Sequence, residues 1–109
     1  MDLEEIREYC LSKEYVTESL PFDEVSPVYK VGDKIFLIMS ITNPVSINVK
    51  CDPEYAVELR EGFSAVQPGY HMNKKHWNTV LLDGTIKPSM IYRFIDDSYN
   101  LVLKKKKCK

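Results

Sequence analysis

At 109 residues with 44% hydrophobic content, the chain is long enough for one domain with one core and too short for two ordinary ones. A formal net charge of -1 and a pI near 6.1 exclude a protein that coats nucleic acid non-specifically, because that mode relies on a strong overall basic field. The near-neutral total conceals a polarity: residues 1–24 carry eight acids against Arg7 and Lys13, so residues 25–109 are net positive.

Three cysteines, Cys10, Cys51 and Cys108, are odd in number and widely spaced, with neither a CxxC pair nor a histidine at zinc-finger spacing. They read as reduced thiols of a cytosolic protein, and no metal or cofactor is expected. Neither a basic-then-apolar leader nor a stretch of membrane-spanning length is present, so the expectation is a soluble, cytoplasmic chain with no membrane partner, and a monomer.

In chain order, Leu3, Ile6, Cys10 and Leu11 stand at helical spacing with acids in the first turns, predicting an amphipathic helix over residues 2–13. Pro21 rules out its continuation, and Thr17 to Phe22 are expected to form a loop crossing the core. Val28 to Val31, Gly32-Asp33 and the apolar run from Lys34 to Met39 predict a hairpin with a two-residue, Gly-first turn. Its second arm is apolar on both sides, as a central strand would be. Asn43-Pro44 ends it. Ser46, Asn48 and Lys50 then alternate with Ile47, Val49 and Cys51, predicting a strand with one wet and one dry face.

Asp52-Pro53-Glu54 supplies an N-cap, a proline at the first helical position and a first-turn acid, and Gly62 offers a stop, predicting a helix over residues 53–61. Lys87-Pro88 restarts helix to about Leu103, with Ile91, Phe94, Ile95, Ser98 and Val102 as its buried stripe. The basic end, residues 104–109, suits a helix C-terminus and a solvated tail. The pattern is that of an α+β fold: a single domain spanning residues 1–109, with an antiparallel sheet and three helices packed mainly on one face. The opposite face is left for binding.

Between Pro68-Gly69 and the Asp83-Gly84 turn lies the most unusual window, Pro68 to Val80, holding two His, two Lys, two Asn, a Tyr and the only Trp. An extended run, a bend carrying Lys74 and Lys75, and a strand from His76 are expected. Cations, amides and aromatics in one window suit phosphate and base contacts, whereas each alone has an ordinary structural explanation: a solvated turn for the lysines, hydrogen-bonded imidazoles, aromatic packing for Trp77 and Tyr70. Their clustering favours DNA contacts. Lys74 and Lys75 are assigned to phosphate, His71, Asn73, His76 and Asn78 to groove or sugar, and Tyr70 and Trp77 to support.

Cys10-Leu11-Ser12, Thr17-Glu18-Ser19, Pro21-Phe22, Tyr29 to Phe36, Lys50 to Glu54 and above all Pro68 to Val80 resemble the MmcQ/YjbR family of small bacterial proteins through nearly the whole chain. That resemblance implies a sheet like the double-wing DNA-binding domain of a phage transcription activator, and a DNA-binding, regulatory role. One departure is Lys13-Glu14-Tyr15, which stands where a Pro-Gly turn is usual before Val16. The alternative class is a protein-interaction or small-ligand module using the same face. An enzyme would need Cys51 or Cys10 with His71 or His76, or a metal held by those histidines with Asp83. No HExxH, phosphate loop or Gly-rich fingerprint supports it, and none is expected.

Overall fold

A computed structural model describes residues 3–19, 26–41, 45–69 and 76–107, with side chains through residue 103. Among them are three helices, α1 (Leu3–Leu11), α2 (Pro53–Gly62) and α3 (Pro88–Lys107). Six strands accompany them: β1 (Val16–Ser19), β2 (Val28–Val31), β3 (Lys34–Ser40), β4 (Ser46–Lys50), β5 (Val66–Pro68) and β6 (Trp77–Leu81). The strands form one sheet in the order β1-β2-β3-β4-β6-β5, antiparallel at every junction. Buried residues of all three helices, Ile6 and Cys10, Ala56 and Leu59, and Ile91 to Val102, join one cluster with Tyr29, Leu37, Ile47, Val49 and Val80. The helices therefore cover a single face, as the α+β pattern predicts.

The β2–β3 turn falls at Gly32-Asp33, where Gly32 takes φ 62 and Asp33 does not follow it into the left-handed region, the type II′ pattern that glycine at the first position permits. β3 is an interior strand, in keeping with its apolar run. Its register against β2 shifts between Tyr29 and Lys30, which face Leu37 and Ile35, so Phe36 is the extra residue of a bulge. Consecutive Phe36 and Leu37 at that bulge are both fully buried. Phe36 meets Tyr99 of α3 edge-on at 5.5 Å.

The bulge also interrupts the β3–β4 ladder beyond Leu37 and Val49. Ser98 of α3, fully buried, fills the gap: its hydroxyl donates to the Phe36 carbonyl at 2.5 Å and accepts from the Lys50 N–H at 2.8 Å. A helix side chain thus satisfies two strand groups that the bulge leaves unpaired.

Two expectations are corrected. Residues Val16 to Ser19 form edge strand β1 rather than the start of a crossing loop: Val16 faces Val31 and Ser19 faces Val28, and four residues were too short a pattern to read. Pro21 and Phe22, like Asn43-Pro44, lie outside the described residues. Helix α2 includes Gly62 and stops at Phe63, whose extended backbone (φ -131, ψ 120) carries its ring to Phe94 at 6.2 Å. Tertiary contact, not a left-handed glycine, ends that helix. Its start is as expected, with the Asp52 carboxylate accepting from the Tyr55 N–H and Pro53 in the first turn.

The departure at Lys13-Glu14-Tyr15 is locked onto α3. Lys13 Nζ lies 2.6 Å from Asp96 and 4.7 and 5.0 Å from the Tyr9 and Tyr99 ring centres, and the Tyr99 hydroxyl donates to the Glu14 carbonyl at 2.7 Å. Tyr15 itself takes φ 69, a left-handed conformation that costs an L-residue roughly 1–2 kcal/mol. Because its side chain is largely exposed, Tyr15→Gly is expected to raise stability by up to about 1 kcal/mol after the entropy cost of glycine, read as a higher urea midpoint at unchanged slope. Tyr15→Ala should give no gain.

On the helix-covered side, Arg7 of α1 grips Glu18 of β1 through two bonds of 2.9 and 3.2 Å, and the Tyr29 hydroxyl donates to the same carboxylate at 2.7 Å. The Tyr29 hydrogen bond, then that of Arg7, holds the Glu18 carboxyl below its ordinary value. A depressed carboxylate stabilises the fold above its unfolded pKa of about 4.3 and loses that contribution as pH falls through its folded value. Unfolding midpoints of wild type and Glu18→Gln, measured from pH 7 to 2.5, should accordingly converge in acid, with the wild type declining more steeply. Parallel curves would contradict this.

Candidate nucleic-acid interface

Directly paired residues on neighbouring strands share a face, so the register defines the side opposite the helices. One row crosses all six strands: Ser19, Val28, Ile38, Asn48, Thr79 and Gln67. A second includes Thr17, Lys30 and Ile35 on one side of the sheet and Lys50 and Trp77 on the other. The Thr79 hydroxyl donates to the Asn48 side-chain oxygen at 2.5 Å, confirming that these two point the same way at the centre of the sheet. Val28 and Trp77 are buried yet stand apart from the main core cluster, as residues of this other face should.

Its electrostatics are one-sided. Glu18 is the single carboxylate among the described strand residues, and it is turned to the helix side by Arg7 and Tyr29. The strand charges left on the helix-free face are Lys30 and Lys50, both half-buried. Asn48, Gln67, Lys30 and Lys50 were not singled out from sequence as binding candidates. The alternation of Ser46, Asn48 and Lys50 was the signal that could have found two of them.

Of the residues assigned from the Pro68–Val80 window, Tyr70, His71, Asn73, Lys74 and Lys75 lie outside the described residues. The anchors on either side of them are defined. Pro68 pairs with Asn78, and the Gly69 N–H donates to the Trp77 carbonyl at 3.0 Å. A Cβ on Gly69 would stand 3.0 Å from Trp77 Cβ and 3.2 Å from its carbonyl oxygen, so a side chain there would have to displace Trp77 by a few tenths of an ångström. His76 is half-exposed, and its carbonyl accepts from the Cys51 N–H at 2.6 Å. Trp77 is buried.

Asn78 is placed differently from its assignment to groove or sugar. It is 1% exposed and lies on the helix side, where Arg60 Nε donates to its Oδ1 at 2.7 Å and its own Nδ2 donates to the Ala56 carbonyl at 3.4 Å. Arg60 also reaches the Trp77 carbonyl at 3.3 Å. The pair therefore ties the beginning of β6 to α2 and holds the base of the window in position.

Cys10 and Cys51 are buried and free. Burial pushes the Cys10 thiol up to about 12 and, with Asp97 and Asp52 nearby, the Cys51 thiol up to about 11, so both remain protonated at neutral pH. Among the described residues no helix is long and apolar enough to cross a membrane.

A six-stranded antiparallel sheet, helices on one side and a gripped β5–β6 hairpin define a small α+β domain whose other face carries lysines and amides among buried Val28, Ser46, Trp77 and Thr79. The chain belongs to the YjbR family, whose model matches residues 11–101. It is 37% identical over 100 residues to protein YjbR of Escherichia coli K12, covering 91% of this chain and 85% of that one. Protein YbdF of Escherichia coli O157:H7 is 36% identical over 101 residues, covering 92% and 83%. Among solved structures, Deinococcus radiodurans protein DR2400, with a DUF419 domain, superposes with a TM-score of 0.90 at 37% identity over 95% of this chain and 80% of that one. A Pseudomonas syringae protein does so at 0.82 and 26%, over 94% and 99%.

Proposed function

We propose that this protein binds DNA through the helix-free face of its sheet together with the Pro68–Val80 hairpin, in a regulatory and non-catalytic role. The observation that carries the reading is the charge sorting on the sheet: the one carboxylate among the described strand residues is turned to the helices, while Lys30 and Lys50 share the opposite face with Asn48, Gln67 and the buried Thr79. Lysines supply the salt-dependent share of affinity, and amides have the donors and acceptors that base edges require. Lys74 and Lys75 would add phosphate contacts, and His71, Asn73 and His76 groove or sugar contacts. Asn78 is reassigned from groove contact to support. The protonated, buried thiols favour a binding role over nucleophilic chemistry.

Fluorescence anisotropy against mixed-sequence duplex and single-stranded DNA at two salt concentrations tests this. Wild type should bind duplex more tightly at low salt, and replacing Lys74 and Lys75 by Ala should weaken binding to all sequences alike and flatten the salt dependence by about two phosphate contacts. Absence of binding at low salt by a folded wild type would sink the proposal. Half-exposed Ile35 and Ile38 on the same face favour, as the second reading, a protein or small-ligand partner whose binding would depend little on salt.

A further inference from the structure

We propose that a cleft at the end of the sheet where β3 and β4 part binds a free α-amino acid with an apolar side chain. Pairing between these two strands stops at Leu37 and Val49, and the Ser98 hydroxyl spans the gap beyond. One turn further along α3, Val102 meets a cleft of about 280 Å³ that is also lined by Asp33, Lys34, Ile35, Lys50 and Trp77. Its volume is at the lower limit of ordinary ligand cavities, so it suits a small molecule rather than a cofactor.

Apolar groups form its inner part and charges its mouth. Trp77 is 6% and Val102 2% exposed, so both are fixed by the fold before any ligand arrives, and half-buried Ile35 completes that wall. Asp33 and Lys34, successive residues where the β2–β3 turn enters β3, are exposed. Among the described residues neither of their side chains has a hydrogen bond or ion pair, with each other or with a third group. Lys50 already has an interaction within the fold, so charge recognition falls to these two. One carboxylate and one ammonium leave the mouth with no net charge, and a simple anion or a simple cation meets as much repulsion there as attraction. A ligand bearing an ammonium and a carboxylate on one carbon satisfies both, the first at Asp33 and the second at Lys34. The apolar wall then takes its side chain. Occupancy of this cleft requires no nucleic acid, so the free protein serves for its test.

The probe is L-leucine, titrated into the intact, isotope-labelled protein and followed by the amide chemical shifts and the indole N–H of Trp77, the only tryptophan in the chain. Saturable shifts centred on Asp33 to Ile35, Trp77 and Val102 are expected. Three analogues each lack one feature of the probe: isoamylamine the carboxylate, isocaproate the ammonium, and glycine the apolar side chain. Each should bind more weakly than leucine. Asp33→Asn, a change that a turn position accepts, and Lys34→Gln should each weaken leucine binding about two- to fivefold. The first should at the same time tighten isocaproate and the second isoamylamine, a crossed pattern that a general loosening of the fold would not produce. Lys87→Gln, at the far end of α3, should change none of these. The proposal is overturned if leucine gives no saturable shifts or shifts centred elsewhere. Binding of any of the three analogues as tight as that of leucine, or indifference of leucine to both Asp33→Asn and Lys34→Gln, would overturn it as well.

Discussion

Ser98→Ala should cost about 2–4 kcal/mol of stability, a large effect for the loss of one oxygen atom. The hydroxyl bridges the Phe36 carbonyl and the Lys50 N–H where the β3 bulge has parted the two strands. Alanine fills almost the same volume and leaves the apolar contacts of α3 unchanged, so the cost comes from two strand groups deprived of their partner. Each such buried group carries a penalty of roughly 1–3 kcal/mol. Urea unfolding measures the total, and amide hydrogen exchange locates it: the Lys50 amide should lose protection ahead of its β4 neighbours. A change below about 0.5 kcal/mol, or protection lost uniformly along β4, would show that the bridge is not what joins the strands there.

Ser98 also shows how far the sequence could be read. Its place in the i, i+3, i+4 stripe of α3 marked it as buried, because helical periodicity reports which face meets the core. What it does there depends on a bulge 62 residues away in sequence, and nothing local to Ser98 encodes that. The same division runs through the fold. Turn and cap chemistry at Gly32-Asp33 and Asp52-Pro53 is local and was legible. The pairing of β1 at the sheet edge and the end of α2 at Phe63 depend on partners distant in the chain, and were not. In the Pro68–Val80 window, composition singled out the residues, but period-2 alternation could not say which face of β6 would meet the helices.

That face decides the second large effect, at Asn78. Asn78→Ala is expected to lower stability by about 2–3 kcal/mol, because it strips Arg60 Nε of its 2.7 Å acceptor and leaves a partly buried guanidinium short of a partner. It also removes the donor to the Ala56 carbonyl, so α2 and β6 lose both side-chain ties made by this residue. A double-mutant cycle with Arg60→Ala separates that coupling from general loss of packing, with a coupling of about 1–2 kcal/mol expected and near-additivity counting against it. The consequence for binding differs from that of a base-reading asparagine. If Asn78 only supports the hairpin, the variant studied well below its unfolding temperature should weaken binding to every DNA sequence to a similar extent, through a less well-held Trp77 and window. Substituting Asn48, which lies on the face opposite the helices, should instead change the preference among sequences. A shift in sequence preference with Asn78→Ala at unchanged stability would reverse the assignment and return Asn78 to the contact surface.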